Sequence, residues 1–179
     1  MRIIGGNFRG KKITAPETLQ VRPTTDFAKT GLFNILLNKF QLSEITALDL
    51  YAGLGSITYE LFSRGCTNID AADRNRDCAV FMQRTLEQLR APFSVKAFQS
   101  DAVAFLQKNT KAYDLIFADP PFEDEVAETL LNTIREYNKL KPGGLFILEH
   151  ITGRKYSDLP GFQEARKYGN VSFSFFHVD

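Results

Sequence analysis

Acidic side chains stand out in this sequence because of where they fall. Each of four closes, interrupts or directly follows a short apolar run of strand length. The first is in Leu48-Asp49-Leu50-Tyr51-Ala52-Gly53-Leu54-Gly55. A strand that runs into a glycine turn and then a helix lets backbone N–H groups approach a ligand closely at a helix N-terminus. A dinucleotide fingerprint needs a third glycine three residues after the second, and that position is Thr58. The pattern therefore departs from NAD binding. A carboxylate inside the strand instead suits a ligand with a positive amino group and a sulfonium, such as S-adenosyl-L-methionine. The same turn can also serve only to pack a helix on a strand.

The second acid is Asp73, 18 residues beyond Gly55 and at the end of the next apolar run. An acid there in a Rossmann-type unit bonds ribose hydroxyls, though Asp73 or Asn75 could equally cap the following helix. The third is Asp101 in Ser100-Asp101-Ala102, placed to meet an adenine amino group or to cap a helix. The expected cofactor contacts are Asp49, Tyr51, Ala52, Gly53, Gly55, Asp73, Arg74, Asp101, Ala102 and Asp119. Acids at the carboxyl ends of successive strands occur together by accident far more rarely than any one of them does alone.

The fourth stretch, Asp119-Pro120-Pro121-Phe122, is the most informative. Two prolines stiffen the loop and remove two N–H donors, leaving carbonyls as acceptors. The Asp119 side chain and the Pro120 carbonyl can then converge on an N–H₂ group, and Phe122 offers a flat face for a base. Methylation of an aromatic amine needs this arrangement, because the nitrogen lone pair is delocalised into the ring until acceptors hold its hydrogens. The remaining work is positioning. Asp119, Pro120, Pro121 and Phe122 are the expected catalytic residues. His150 and His177 read as ordinary strand residues and Cys66 and Cys78 as core fillers. No Cys/His cluster suggests a metal.

Around these residues short apolar runs alternate with helical segments. Strands are expected near 47–51, 68–72, 95–98, 114–118 and 145–149, and helices over about 14 residues after Thr25, then 56–64, 76–89, near 105–106 and 126–137. Residues 141–144 read as a turn. This alternation means βαβ units and a parallel sheet. Phe162–Tyr168 and 171–178 read as two strands around Gly169-Asn170, an antiparallel hairpin closing one sheet edge. The opening residues read as glycine-punctuated extended structure.

The chain has 179 residues, 44% hydrophobic and 24% charged, which fits one full domain with a sizeable core. Two divisions are expected: residues 1–44, a basic hairpin and helix extending the same domain, and residues 45–179, the catalytic part. The longest apolar runs are far below the roughly 20 residues of a membrane span, and the N-terminus lacks the apolar core of a signal peptide. A cytoplasmic protein with no membrane partner is expected. The net charge of +1 is uneven: residues 1–30 carry six Lys/Arg against Glu17 and Asp26. Arg2, Arg9, Lys11, Lys12 and Arg22 are the expected RNA contacts, although a solvated basic terminus would look the same.

On Arg2-Ile3-Ile4-Gly5-Gly6 with Arg9-Gly10, Arg22-Pro23-Thr24-Thr25-Asp26, Leu32-Phe33-Asn34-Ile35-Leu36, the Asp49 to Gly55 motif, Ser63-Arg64-Gly65, the Asp119 loop, Leu148-Glu149-His150 and Lys167-Tyr168-Gly169, the chain resembles the RsmD family of bacterial 16S rRNA guanine-N2 methyltransferases. The resemblance covers nearly the whole chain. The amino-methylase loop is shared with DNA adenine and protein glutamine methylases, so the N-terminal segment is the specific part. It implies a seven-stranded Rossmann-like class I methyltransferase sheet, mostly parallel, with an antiparallel C-terminal hairpin and a small N-terminal hairpin and helix. It implies S-adenosyl-L-methionine as cofactor and a guanine of 16S rRNA as substrate, within the small ribosomal subunit or an assembly intermediate, acted on by a monomer. Where the family usually has Arg-Glu in the first helix this chain has Lys29-Thr30, and Phe27-Ala28 is unusual just before it. Alternatives are an amino-methylase of another RNA or DNA base, and a catalytically silent RNA-binding module.

Overall fold

The computed structural model describes residues 1–19, 24–121 and 126–178. Five parallel strands form one part of a seven-stranded sheet: β1 (Thr46–Leu50), β2 (Asn68–Asp73), β3 (Val95–Gln99), β4 (Tyr113–Ala118) and β5 (Leu140–Ile151). β6 (Phe162–Tyr168) and β7 (Val171–Phe176) complete it as an antiparallel hairpin, with β7 against β5 and β6 on the edge. The spatial order is β3-β2-β1-β4-β5-β7-β6. Sequence order therefore reverses between β1 and β4, and in open α/β sheets ligands bind at such a switch point.

The strands alternate their side chains between two apolar layers, as the pleat requires. Ala47, Ile69, Leu115, Phe117, Ile147 and Phe175 face one layer. It is covered by α1 (Asp26–Lys39), α2 (Ser56–Ser63) and α3 (Arg76–Gln88), through Leu32, Leu36, Leu61, Met82 and Leu86. Leu48, Leu50, Ile116, Phe146 and Phe176 face the other, under α4 (Ala102–Lys108) and α5 (Ala127–Glu136). Helices on both faces explain why these strands read as near-continuous apolar runs.

Helix starts follow the sequence signals. The Thr25 hydroxyl accepts the Ala28 N–H, Asn75 accepts from Asp77 and Cys78, and Asp101 accepts from Ala104. Each such cap contributes about 1 kcal/mol. The turn expected at residues 141–144 lies instead inside the span of β5. Tyr113 pairs with Leu140 and Leu115 with Leu145, so the extra residues bulge out of the ladder, with Gly143 at φ +76°.

The N-terminal residues form a small hairpin. Ile3 and Lys11 are bonded through backbone groups, as are Met1 and Ile13, with an Arg2–Lys12 bridge and a 3-10 turn at Gly6–Phe8. This hairpin is fastened to α2: Ile4 N–H donates to Glu60 at 2.9 Å and Phe8 N–H to the Ser63 hydroxyl at 2.9 Å. Lys29, which stands at the departure noted in the first helix, is buried. Its Nζ donates to the Arg2 carbonyl at 2.6 Å and lies 3.9 Å from Glu60.

Candidate functional site

At the switch point a cleft of about 300 Å³ opens between the ends of β1, β2, β4 and β5. Thr24, Thr25, Tyr51, Gly53, Asp73, Arg74, Cys78, Asp119, Pro120, Pro121, Glu149 and Asn170 are among its lining residues. A smaller recess is lined by Asp49, Ala52 and Phe117, and shares Thr24, Tyr51, Gly53 and Asp119 with the cleft. The structure thus brings together most of the expected site residues.

The turn after β1 is built to bring backbone close to the cleft. Tyr51, Gly53 and Gly55 all have positive φ, at 56°, 54° and 82°. The Gly55 N–H closes the turn on the Ala52 carbonyl at 2.7 Å. A Cβ at Gly55 would meet the Tyr59 ring at 2.7 Å, so only glycine fits without displacing a core side chain. Asp73 holds the turn in place: its Oδ2 accepts the Gly53 N–H at 2.7 Å and its Oδ1 the Asn75 N–H at 2.8 Å. Asn75, not Asp73, caps α3.

Thr58, which stands where a third glycine would, has a function of its own. Its backbone N–H and its hydroxyl both donate to Asp49 Oδ2, at 3.1 and 2.6 Å. Asp49 is almost fully buried, and burial pushes its carboxyl up to about 7 despite those two bonds, with the Asp73 charge adding to the rise. Asp119 follows β4, its N–H on the Leu50 carbonyl at 3.3 Å. Burial first, then the charges of Glu149 and Asp49, hold its carboxyl well above the usual range. Glu149 is raised in the same direction, by burial and by Asp49, against a stabilising bond from the Thr24 hydroxyl. Among the described residues none of these three carboxyls has an ion-pair partner. A buried cluster of like-charged acids holds protons unless a cation joins it.

Sequence reasoning missed Glu149, Thr24, Cys78 and Asn170 as site residues. The signal for Glu149 was present, since it ends an apolar strand as Asp73 does. Cys78 is both buried and on the cleft wall, and burial pushes its thiol up to about 11. Asp101 and Ala102 are not on the lining; Asp101 Oδ1 caps α4 by accepting the Ala104 N–H at 3.0 Å. Phe122 and Arg22 lie outside the described residues. Of the expected RNA contacts Arg9, Lys11 and Lys12 are exposed, while Arg2, also exposed, meets Asp26 at 2.6 Å. His150 is a buried strand residue bonded to Ser174 at 2.8 Å. No group of acids, cysteines and histidines among the described residues could hold a metal ion, and no helix there is long and apolar enough to cross a membrane.

Comparison with known proteins adds to this geometry. A family described as conserved hypothetical protein 95 matches residues 1–177. Ribosomal RNA small subunit methyltransferase D of Haemophilus influenzae is 32% identical over 152 residues, 83% of this chain and 78% of that protein. Its namesake in Escherichia coli is 30% identical over 149 residues, 83% of this chain and 74% of that one. Among solved structures, the Escherichia coli protein yhhF superposes with a TM-score of 0.85 at 26% identity, covering 100% of this chain and 98% of its own. The Thermus thermophilus 16S rRNA N2 G1207 methyltransferase RsmC, in complex with AdoMet and guanosine, gives 0.71 at 25% identity, over 87% of this chain and 44% of that one.

Proposed function

Because the chain belongs to the RsmD family of rRNA methyltransferases, we propose that it transfers a methyl group from S-adenosyl-L-methionine to the exocyclic N2 of one guanine in 16S rRNA. The sheet is that of a class I methyltransferase. One observation carries the proposal: the glycine turn held by Asp73 and the Asp119-Pro120-Pro121 loop open into the same cleft at the switch point.

The residues present fit the donor. Asp49 and Asp119 line a buried recess, with Glu149 on the adjoining cleft, an acidic cluster that a cation would neutralise, and Tyr51 and Gly53 bring the backbone of the turn beside it. Asp49 and Asp119 would face the positive part of S-adenosyl-L-methionine, and Asp73 with the Gly53 turn its ribose. Arg74 and Cys78 line the same wall of the cleft. When bound, the donor supplies a methyl group made electrophilic by its sulfonium sulfur.

The rest is done by the chain. The Asp119 carboxylate and the Pro120 carbonyl accept the hydrogens of the amine, which localises the nitrogen lone pair and aims it. The two prolines hold that geometry without adjustment during the reaction. A base that reaches a cleft at the ends of the strands has left its stack, so the guanine enters flipped in this reading. The related RsmC, in complex with AdoMet and guanosine, supports both ligands. The basic hairpin, Arg9, Lys11 and Lys12 foremost, contacts RNA phosphates as an extension of the same domain. The enzyme acts as a cytoplasmic monomer on the small subunit or an assembly intermediate.

The test is transfer of tritiated methyl from S-adenosyl-L-methionine to small subunits from a strain lacking the protein, followed by mapping. Label in one guanine as N2-methylguanine is the expected result. Label on another base or none at all, with the donor bound, overturns the proposal.

A further inference from the structure

The first turn of α1 carries a large aromatic side chain in the open. Phe27 leaves 66% of its surface in water. Its ring nevertheless has a fixed place, in T-shaped contact with Tyr168 at 5.7 Å between centroids. Tyr168 is seated in turn: it packs on Phe173 of the core at 5.6 Å, and its ring fills the space over Gly31, where a Cβ would come within 2.0 Å. A T-shaped contact engages at most one face of the Phe27 ring, so a face remains free for stacking.

Two independent chain connections put this ring on the rim of the cleft. Thr24 and Thr25, just before it, line the cleft. Tyr168 pairs with Val171 across the β6–β7 hairpin, whose residues Asn170 and Val171 also line it. Basic side chains lie on the segments around it. Arg2 lies against Asp26, the residue preceding Phe27, and bridges to Lys12. Arg166, exposed and paired with Glu164 at 2.6 Å, falls on the same face of β6 as Tyr168. An exposed aromatic set among cations, beside a cleft for a base, matches the combination that binds single-stranded nucleic acid.

We infer that Phe27 is a stacking platform for the nucleobase that flanks the methylated one in the RNA strand. This rests on the RNA-methylating function proposed above and adds a second base-binding position to it. A nucleobase stacks on the ring face while the exposed Lys12 meets an adjoining phosphate. Any base has a π-face, so the platform steadies the strand without selecting its sequence.

The chain contains no tryptophan, so F27W introduces the sole indole and reports directly on the ring's surroundings. F27W is titrated with a single-stranded RNA oligonucleotide, with small ribosomal subunits and with their proteins stripped of RNA, while labelled-RNA anisotropy follows binding separately. The indole emission is expected to quench with RNA and with subunits, at the midpoint the anisotropy gives. In methyl-transfer assays F27A is expected to raise KM for RNA on the order of tenfold. Its kcat, donor affinity and thermal midpoint stay as in wild type, and F27W restores KM. Emission unchanged at RNA saturation, or a KM for F27A within twofold of wild type, overturns the platform. Quenching by the stripped proteins but not by RNA assigns the ring to a protein partner and overturns it too. If wild type methylates RNA in these cases, the function proposed above stands without the platform. If wild type neither binds nor methylates RNA, both fall.

Discussion

Thr24 and Glu149 lie 125 residues apart in the chain and meet in a buried hydrogen bond, the threonine Oγ donating to the carboxylate at 3.0 Å. The bond fixes the entry to α1 against the end of β5. It also fills one acceptor position of an acid that shares the cleft with Asp119.

The acid cluster sets a pH dependence of stability. Asp49 titrates near 7 in the folded protein, and Asp119 and Glu149 are raised as well, whereas in the unfolded chain such groups titrate near 4. The folded state therefore binds more protons across this interval, and the stability this confers is lost as pH rises through the folded values. His150, whose pKa burial lowers, runs the other way, so the comparison with E149Q isolates the cluster. The amide keeps an oxygen for Thr24. The melting midpoint of E149Q without ligand should gain on that of wild type from pH 5 to pH 8. A difference that does not change with pH refutes this.

Asp119 should matter chiefly in the transition state. Asp119→Ala is expected to cut single-turnover methyl transfer by orders of magnitude while calorimetry still shows donor binding. Asp119→Asn retains an oxygen acceptor and should be milder. Near wild-type rates in the alanine variant would make this loop structural and the mechanism wrong.

Asp73 has two duties, with both carboxylate oxygens engaged by backbone N–H groups. Asp73→Ala should weaken S-adenosyl-L-methionine binding by about 1–3 kcal/mol, the scale for removing hydrogen bonds to a charged group. Titration calorimetry on the folded variant reads this directly. Unchanged affinity would leave Asp73 a purely structural brace.

The basic hairpin predicts a salt effect. Arg9 and Lys11 are exposed, unlike Lys29, and Arg2 already has Asp26 beside it. Changing Arg9 and Lys11 to glutamine should make log K for RNA less steep against log salt, by roughly 0.7 to 0.9 for each phosphate no longer neutralised. Donor binding should not move. A slope equal to wild type removes this surface from the RNA interface.

The order of strands and helices was legible because buried parallel strands and capped helices are local patterns. Thr25, Asn75 and Asp101 announce their helices, and Gly53 and Gly55 announce the turn. What the sequence hid was long-range or ambiguous in kind. Thr24 meets Glu149 only because α1 folds back across the sheet, and nothing near either residue encodes that. Pro142-Gly143-Gly144 has the composition of a turn, and only pairing with β4 turns it into a bulge. An aspartate beside a helix start reads equally as cap or ligand. The structure shows Asp101 capping its helix and Asp73 bracing the glycine turn, leaving the cap of α3 to Asn75.

The hairpin's attachment to α2 bears on how this protein can be cut and recombined. Ile4 and Phe8 rely on Glu60 and Ser63 to satisfy their backbone N–H groups, and Arg2 supplies the carbonyl that receives Lys29. Deleting the hairpin would take from Glu60 and Lys29, both buried in the intact fold, backbone partners that satisfy them. A minimal catalytic fragment starting at β1 would also discard Leu32 and Phe33 and uncover the apolar layer beneath them. Swapping N-terminal hairpins between relatives of this chain must therefore carry the matching α2 positions along with the graft.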